Sequence, residues 1–234
     1  MTQNQLSLYP AVQSDRGCTL GGSQLFAGSS LERTVGCGAV AALDLLILLH
    51  RRDTSRCRPF NEKLPAENPI PLPVYNELLR YVRKHYFPLI PRLGINGLSL
   101  CFGLNAFFIK NALPYRASWG VPYGRLLRKT RNMLEQGLPV ICAIGPHFPR
   151  FMGRGGLPLY VRGAEGDYRR ATQTSAHYVT ITDFDDEWLH ILSWGRRYYV
   201  RREDYFIYGR RRSLPLINNV LCIKRKRTRR FFRR

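Results

Sequence analysis

GCGAVAALDLLILLH, residues 36–50, is the stretch on which the reading of the whole chain turns. From Gly38 to His50 it is apolar almost all the way round, which predicts a helix buried on several sides rather than an amphipathic surface helix. Arg51, Arg52 and Asp53 then return the chain to water. Upstream, Cys18-Thr19-Leu20-Gly21-Gly22-Ser23-Gln24 reads as a short extended piece closed by a glycine turn. A Gly/Ser loop from Ala27 to Ser30 leads into Thr34-Val35-Gly36-Cys37-Gly38. Residues 1–16 read as irregular surface chain.

Downstream, residues 53–72 are rich in Pro, Asn and charge and mark a connection. Pro73 opens an amphipathic helix through Phe87, with Val74, Leu78 and Val82 on one face and Arg80, Arg83 and Lys84 toward solvent. A Pro/Gly break from Pro88 to Gly94 precedes a helix over Leu98 to Ala112. Another runs from Tyr123 to Gln136 and stops at Gly137. Leu138–Ile144 is a continuous apolar run that predicts a buried strand. Residues 145–175 read as a long loop. Strands are predicted over Ala176–Thr182, Trp188–Ser193 and Arg197–Val200. Helices first and strands after give an α+β fold class, with one domain over 17–222, a helical half over about 31–137, a β half over about 138–222, and a basic tail at 223–234.

Bulk composition narrows the function classes. Hydrophobic residues are 44% of the 234, enough for a real core. No eighteen-residue apolar window exists, so no membrane span is expected, and MTQNQLSLYPAVQSD lacks the layout of a secretory signal. Six cysteines at 18, 37, 57, 101, 142 and 222 form no CxxC pair, which argues against a zinc site or a disulfide framework and for a reducing, cytoplasmic setting. His50, His85, His147 and His190 lie in unrelated segments, so no metal and no cofactor is implied. Gly153-Arg154-Gly155-Gly156 lacks the lysine and the strand–helix setting of a phosphate loop, and Asp183, Asp185 and Asp186 read as a polar hairpin turn. Net charge is +21, and the last twelve residues, IKRKRTRRFFRR, hold eight basic ones. Such a tail attracts polyanions without reading sequence, or is simply a solvated end of the chain.

Chemistry is expected at two places. If the hairpin turns at Phe184–Asp186, pairing sets Ile181 opposite Leu189, Val179 opposite Ile191 and His177 opposite Ser193. That register leaves a polar pair at the open end of an apolar ladder, about 5 Å apart at Cβ. Cys37 is the second place. Gly36 and Gly38 flank it, and the free N–H groups of a helix start favour the thiolate. Cys101, Cys142 and Cys222 lie in apolar runs and read as core.

Gly36-Cys37-Gly38-Ala39-Val40-Ala41-Ala42 resembles the nucleophile segment of papain-like cysteine peptidases, nearest to the bacterial branch that trims double-glycine leader peptides. Ala176-His177-Tyr178-Val179-Thr180 resembles their histidine strand. The step of sixteen from His177 to Ser193, and the Trp194–Gly195 that follows, resemble the placing of the orienting Asp or Asn. The resemblance implies a papain-like fold and a peptide or protein substrate. It casts Cys37 as nucleophile, His177 as general acid and base, Ser193 as orienting group and Gln24 as oxyanion donor, with Gln13 the weaker candidate for that last role. Gly36, Gly38, Ala176 and Trp194 would border the substrate, and Arg150, Arg154, Arg162, Arg169 and Arg170 would favour an acidic one. Ser193 departs from the family, because a hydroxyl brings no charge to an imidazolium. Two readings follow. One is a cysteine hydrolase, with acyl transfer by the same dyad. The other is an inactive scaffold that binds nucleic acid or an acidic partner through its basic surface, the rings of Tyr198, Tyr199, Phe231 and Phe232 being interleaved for stacking.

Overall fold

A computed structural model of the chain describes residues 8–53, 58–147 and 155–226. In chain order the elements are β1 (Ala11–Ser14), β2 (Gly17–Leu20), a 3-10 turn (Gln24–Phe26), α1 (Ser30–Val35), α2 (Cys37–Asp53), α3 (Arg58–Lys63), β3 (Ile70–Pro71), α4 (Leu72–His85), α5 (Gly97–Lys110), β4 (Tyr115–Trp119) and α6 (Tyr123–Glu135). They continue as β5 (Val140–Ile144), β6 (Leu157–Arg162), β7 (Tyr168–Thr174), β8 (His177–Phe184), β9 (Trp188–Ser193), β10 (Arg196–Arg201), α7 (Arg202–Arg211) and β11 (Val220–Arg225). The fold is mixed α+β, built on an antiparallel sheet in the order β4-β11-β5-β8-β9-β10-β6-β7.

The apolar run becomes α2, and from Ala39 to Leu49 every side chain is buried. Each fully buried leucine there stabilises the fold by roughly 2 kcal/mol relative to exposure. The helix packs against β8, near the middle of the sheet. Its start is set from both sides. Ser29 and Glu32 form a capping box at the head of α1, and Gly36 caps its end. Glu32 is also tied to Arg83 of α4 by an ion pair of 2.6 Å. Gly38 permits a close approach to the sheet: a Cβ there would lie 2.6 Å from Ile95 Cγ2 and 3.1 Å from Tyr178 Cδ2. α4 begins at Leu72 and buries Tyr75, Leu78, Leu79 and Val82, the i, i+3, i+4, i+7 pattern of one helix face, with Val74 only half-buried.

Several expectations need correction. Residues 11–14 are not irregular: β1 pairs with β2 and, in parallel, with β3, and Tyr9 and Val12 anchor it in the core. Residues 1–7 lie outside the described residues. The stretch 145–175 is not one loop, since β6 and β7 form a hairpin within it. β7 is exposed along most of its length, so it carries no apolar alternation by which it could be recognised. Gly153, Arg154 and Arg150 lie outside the described residues, as do Cys57 and residues 227–234. The hairpin register also differs. Ile181 pairs with Ile191 and Thr180 with Leu192, while an irregularity between Ile181 and Asp183 sets Asp183 opposite His190 and Phe184 opposite Leu189. The shift near the open end is two residues rather than one, so the side-chain alternation survives it. β4 and α7 were not anticipated, and β11 continues past Cys222 to Arg225. Among the described residues no helix is long and apolar enough to cross a membrane.

Candidate active site

Three chain segments meet where α2 begins. α2 presents Cys37, β8 opens with His177, and β9 ends with Ser193. His177 Nε2 lies 2.7 Å from Ser193 Oγ, and each residue is only 7% exposed. Despite the shifted register, the two side chains reach each other across the end of the ladder. The imidazole stacks on the Trp194 indole, with centroids 4.5 Å apart and planes 18° from parallel. The residues just outside the two strands, Ala176 and Trp194, both have φ of 50°. Positive φ is uncommon for residues with a side chain, and such strain clusters at functional sites. The Trp194–Gly195 turn is held from the other side as well, because Leu20 N–H donates to the Gly195 carbonyl at 3.0 Å.

Cys37, His177, Ser193, Gln24 and Trp194 all line one narrow pocket, with an empty volume of about 330 Å³ counting its open mouth. Gly36, Gly38 and Ala176 do not line it; they shape the chain beside it. Gln24 follows the Gly21–Gly22 turn and is 9% exposed. Its Nε2 donates to the Arg33 carbonyl at 3.0 Å, and its Oε1 has no partner among the described residues. Gln13 lies exposed on β1 and takes no part in the pocket. Arg162, Arg169 and Arg170 do not border it either. They belong to β6 and β7, at one edge of the sheet, three and four strands from β8. Asp183 lies six residues along β8 from His177, roughly 20 Å away on an extended strand.

The electrostatics correct a further expectation. Burial pushes the Cys37 thiol above its ordinary value, and the backbone N–H groups of Tyr178, Gly38 and Cys37 itself offset this only in part. Burial also pushes the His177 imidazole down to about 4. The helix start does favour the thiolate, but loss of solvent outweighs it. Both directions favour the neutral thiol and the neutral imidazole over a thiolate and an imidazolium.

One residue of the pocket was not recognised from the sequence. Asp44, seven positions after Cys37 and on the same face of α2, is 4% exposed and lines the pocket floor. The signal was present: a single acid inside an apolar helix is costly to bury unless it is hydrogen-bonded. Among the described residues no group of His, Cys, Asp or Glu side chains is arranged to hold a metal ion. Tyr198 and Tyr199 are buried, so these rings are not open to stack on bases, and Phe231 and Phe232 lie outside the described residues. Compared with protein-family models, with curated proteins and with solved structures, the chain matches none.

Proposed function

We propose that this chain is a papain-like cysteine hydrolase that cleaves a peptide or isopeptide bond. The observation that carries the reading is the meeting of Cys37, His177, Ser193 and Gln24, from four separate segments, in one pocket. A buried helix that starts at the nucleophile and packs on an antiparallel sheet supports the papain-like assignment.

The chemistry follows from the neutral pair. With its proton on Nε2 donated to the Ser193 hydroxyl oxygen, the ring offers the Nδ1 lone pair to the thiol. His177 takes the Cys37 proton as sulfur attacks the carbonyl carbon. The carbonyl oxygen becomes an oxyanion, held by the Cys37 backbone N–H and the Gln24 amide hydrogen not engaged by Arg33. Collapse breaks the C–N bond, His177 protonates the leaving amine, and a thioester remains. Water, deprotonated by His177, adds to the thioester carbon; the C–S bond breaks, the acid leaves, and His177 returns the proton to the Cys37 sulfur. An amine in place of water would make the same dyad an acyltransferase.

A second reading, an inactive scaffold that binds a polyanion, is favoured by one observation: Ser193 gives the imidazolium no charge, and burial already disfavours it. Turnover of p-nitrophenyl acetate separates the two. The hydrolase reading expects a nitrophenolate burst stoichiometric with protein, absent in Cys37→Ala and about 100-fold slower in His177→Ala. An equal rate in Cys37→Ala would leave only the scaffold.

A further inference from the structure

Asp44 holds three parts of the molecule from inside the nucleophile helix. Gly22 N–H donates to both carboxylate oxygens, at 3.1 Å to Oδ1 and 3.0 Å to Oδ2. The Tyr75 hydroxyl of α4 donates to Oδ1 at 2.7 Å, and the Tyr9 hydroxyl donates to Oδ2 at 3.3 Å. The single Gly22 N–H is shared between the two oxygens and each oxygen accepts one tyrosine hydroxyl, so three protein donors already occupy this buried carboxylate. Its role must be indirect.

We propose, resting on the cysteine-hydrolase reading, that Asp44 is a positioning residue for the oxyanion site: it fixes the Gly21–Gly22 turn, and with it Gln24, relative to Cys37. Three observations support this. The turn is seated directly on the Asp44–Tyr75 pair, since a Cβ at Gly22 would lie 1.9 Å from Tyr75 Oη and one at Gly21 2.9 Å from Asp44 Oδ2. Gln24 stands two residues beyond Gly22, and one hydrogen of its amide nitrogen is tied to the Arg33 carbonyl. Cys37, Gly22, Gln24 and Asp44 line the same pocket. The nucleophile and its oxyanion donor therefore share one anchor.

The anchor is also sensitive to pH. The groups that face Asp44 are Tyr9 before β1, Tyr75 on α4, and the Gly22 N–H. Thr180 on β8 bonds to Tyr9, and Cys37 and His177 line the same pocket. Both tyrosines are held well above their ordinary range, so they remain donors. Burial pushes the Asp44 carboxyl up to about 7 against the bonds from Tyr75, Gly22 and Tyr9. Below that pH the carboxyl must itself carry a proton, and the three donors lose an acceptor.

Two reagents on the full chain test this. Acylation by p-nitrophenyl acetate passes through an oxyanion, whereas alkylation by iodoacetamide is a direct displacement at carbon that releases iodide and needs no oxyanion donor. Asp44→Asn is expected to slow acylation of Cys37 about 10-fold or more, a fraction of the loss from deleting an oxyanion donor outright, with alkylation changed less than about 3-fold. In the wild type the ratio of acylation to alkylation rises through pH 7; in Asp44→Asn it is flat. Tyr75→Phe removes one donor and leaves Gly22 bonded, so it gives a smaller loss in the same sense and decides the matter if Asp44→Asn does not fold. Equal effects on both reactions, or an unchanged acylation rate, would overturn the positioning role while leaving Cys37 reactive. Wild-type protein alkylated but never acylated at Cys37 would overturn the hydrolase reading itself, and the positioning role with it.

Discussion

Ser193→Asp should convert a weakly supported imidazole into a strongly supported one. In the wild type the Ser193 hydroxyl sits 2.7 Å from His177 Nε2, and burial holds the ring down to about 4. An aspartate at this position would bring a carboxylate to about 3 Å from the same nitrogen. At an effective dielectric of about 20 the attraction to an imidazolium is roughly 5 kcal/mol. Taking the carboxylate out of water at a site this buried offsets several kcal/mol of that. A net gain of roughly 2 kcal/mol remains, equivalent to about 1.5 pKa units. The imidazole titration, followed by its carbon-bound proton in NMR, is therefore expected to move from about 4 to between roughly 5 and 6, as the titration of a coupled pair. Acylation by p-nitrophenyl acetate should rise about 10-fold, because the proton-accepting group becomes a stronger base. An imidazole that still titrates near 4, or acylation no faster than in Ser193→Ala, would refute the view that a missing charge limits this site.

Two further predictions concern the fold around the pocket. Gly38→Ala places a methyl group 2.6 Å from Ile95 Cγ2 and 3.1 Å from the Tyr178 ring, so the first turn of α2 must move off the sheet; denaturant unfolding should show a loss of about 1–3 kcal/mol, with slower acylation of Cys37. His177 also gives a pH dependence of stability. Its folded pKa lies below the unfolded one, so the unfolded chain takes up the proton first, and stability is intact above about 6.5 and falls as pH drops toward 4, by roughly 3 kcal/mol. Asp44 acts in the opposite sense, since its carboxyl is raised and the stability of its protonated form is lost as pH rises toward about 7. The comparison should therefore be between wild type and His177→Gln, whose unfolding free energy should lack the His177 part of the acid slope.

The legible parts of the fold were those with strong local patterns. The run from Gly38 to His50 admits no exposed face, and the alternation around Val179, Ile181, Leu189 and Ile191 marks a hairpin with one apolar side. Register was harder. The turn closes between Asp185 and Trp188, later than Phe184–Asp186, and the irregularity between Ile181 and Asp183 takes back one residue of that displacement, so the open end is misplaced by two. The edge strand β7 was illegible because it buries almost nothing, and its arginines resemble those of a loop. Residues of the candidate site are legible where a short motif marks them, as with Cys37 and His177, which line one pocket. Asp44 has no motif; it matters through the donors that Tyr9, Gly22 and Tyr75 bring from three distant segments, and only the folded chain assembles them. Ionisation was the least legible of all. A helix start argues for a thiolate, yet the depth of burial that reverses the direction is a property of the packed pocket.

The central claim, that Cys37 attacks a carbonyl with His177 as its base, is tested most directly by trapping the thioester. The protein would be treated with p-nitrophenyl acetate at pH 7, quenched in acid and peptide-mapped by mass spectrometry, beside His177→Ala. The account predicts a hydroxylamine-labile acetyl group on Cys37, formed well ahead of any on the exposed Cys18, and all but absent at Cys37 in His177→Ala. Acetylation of Cys18 or of lysines with Cys37 unmodified, or equal labelling of Cys37 without His177, would contradict it.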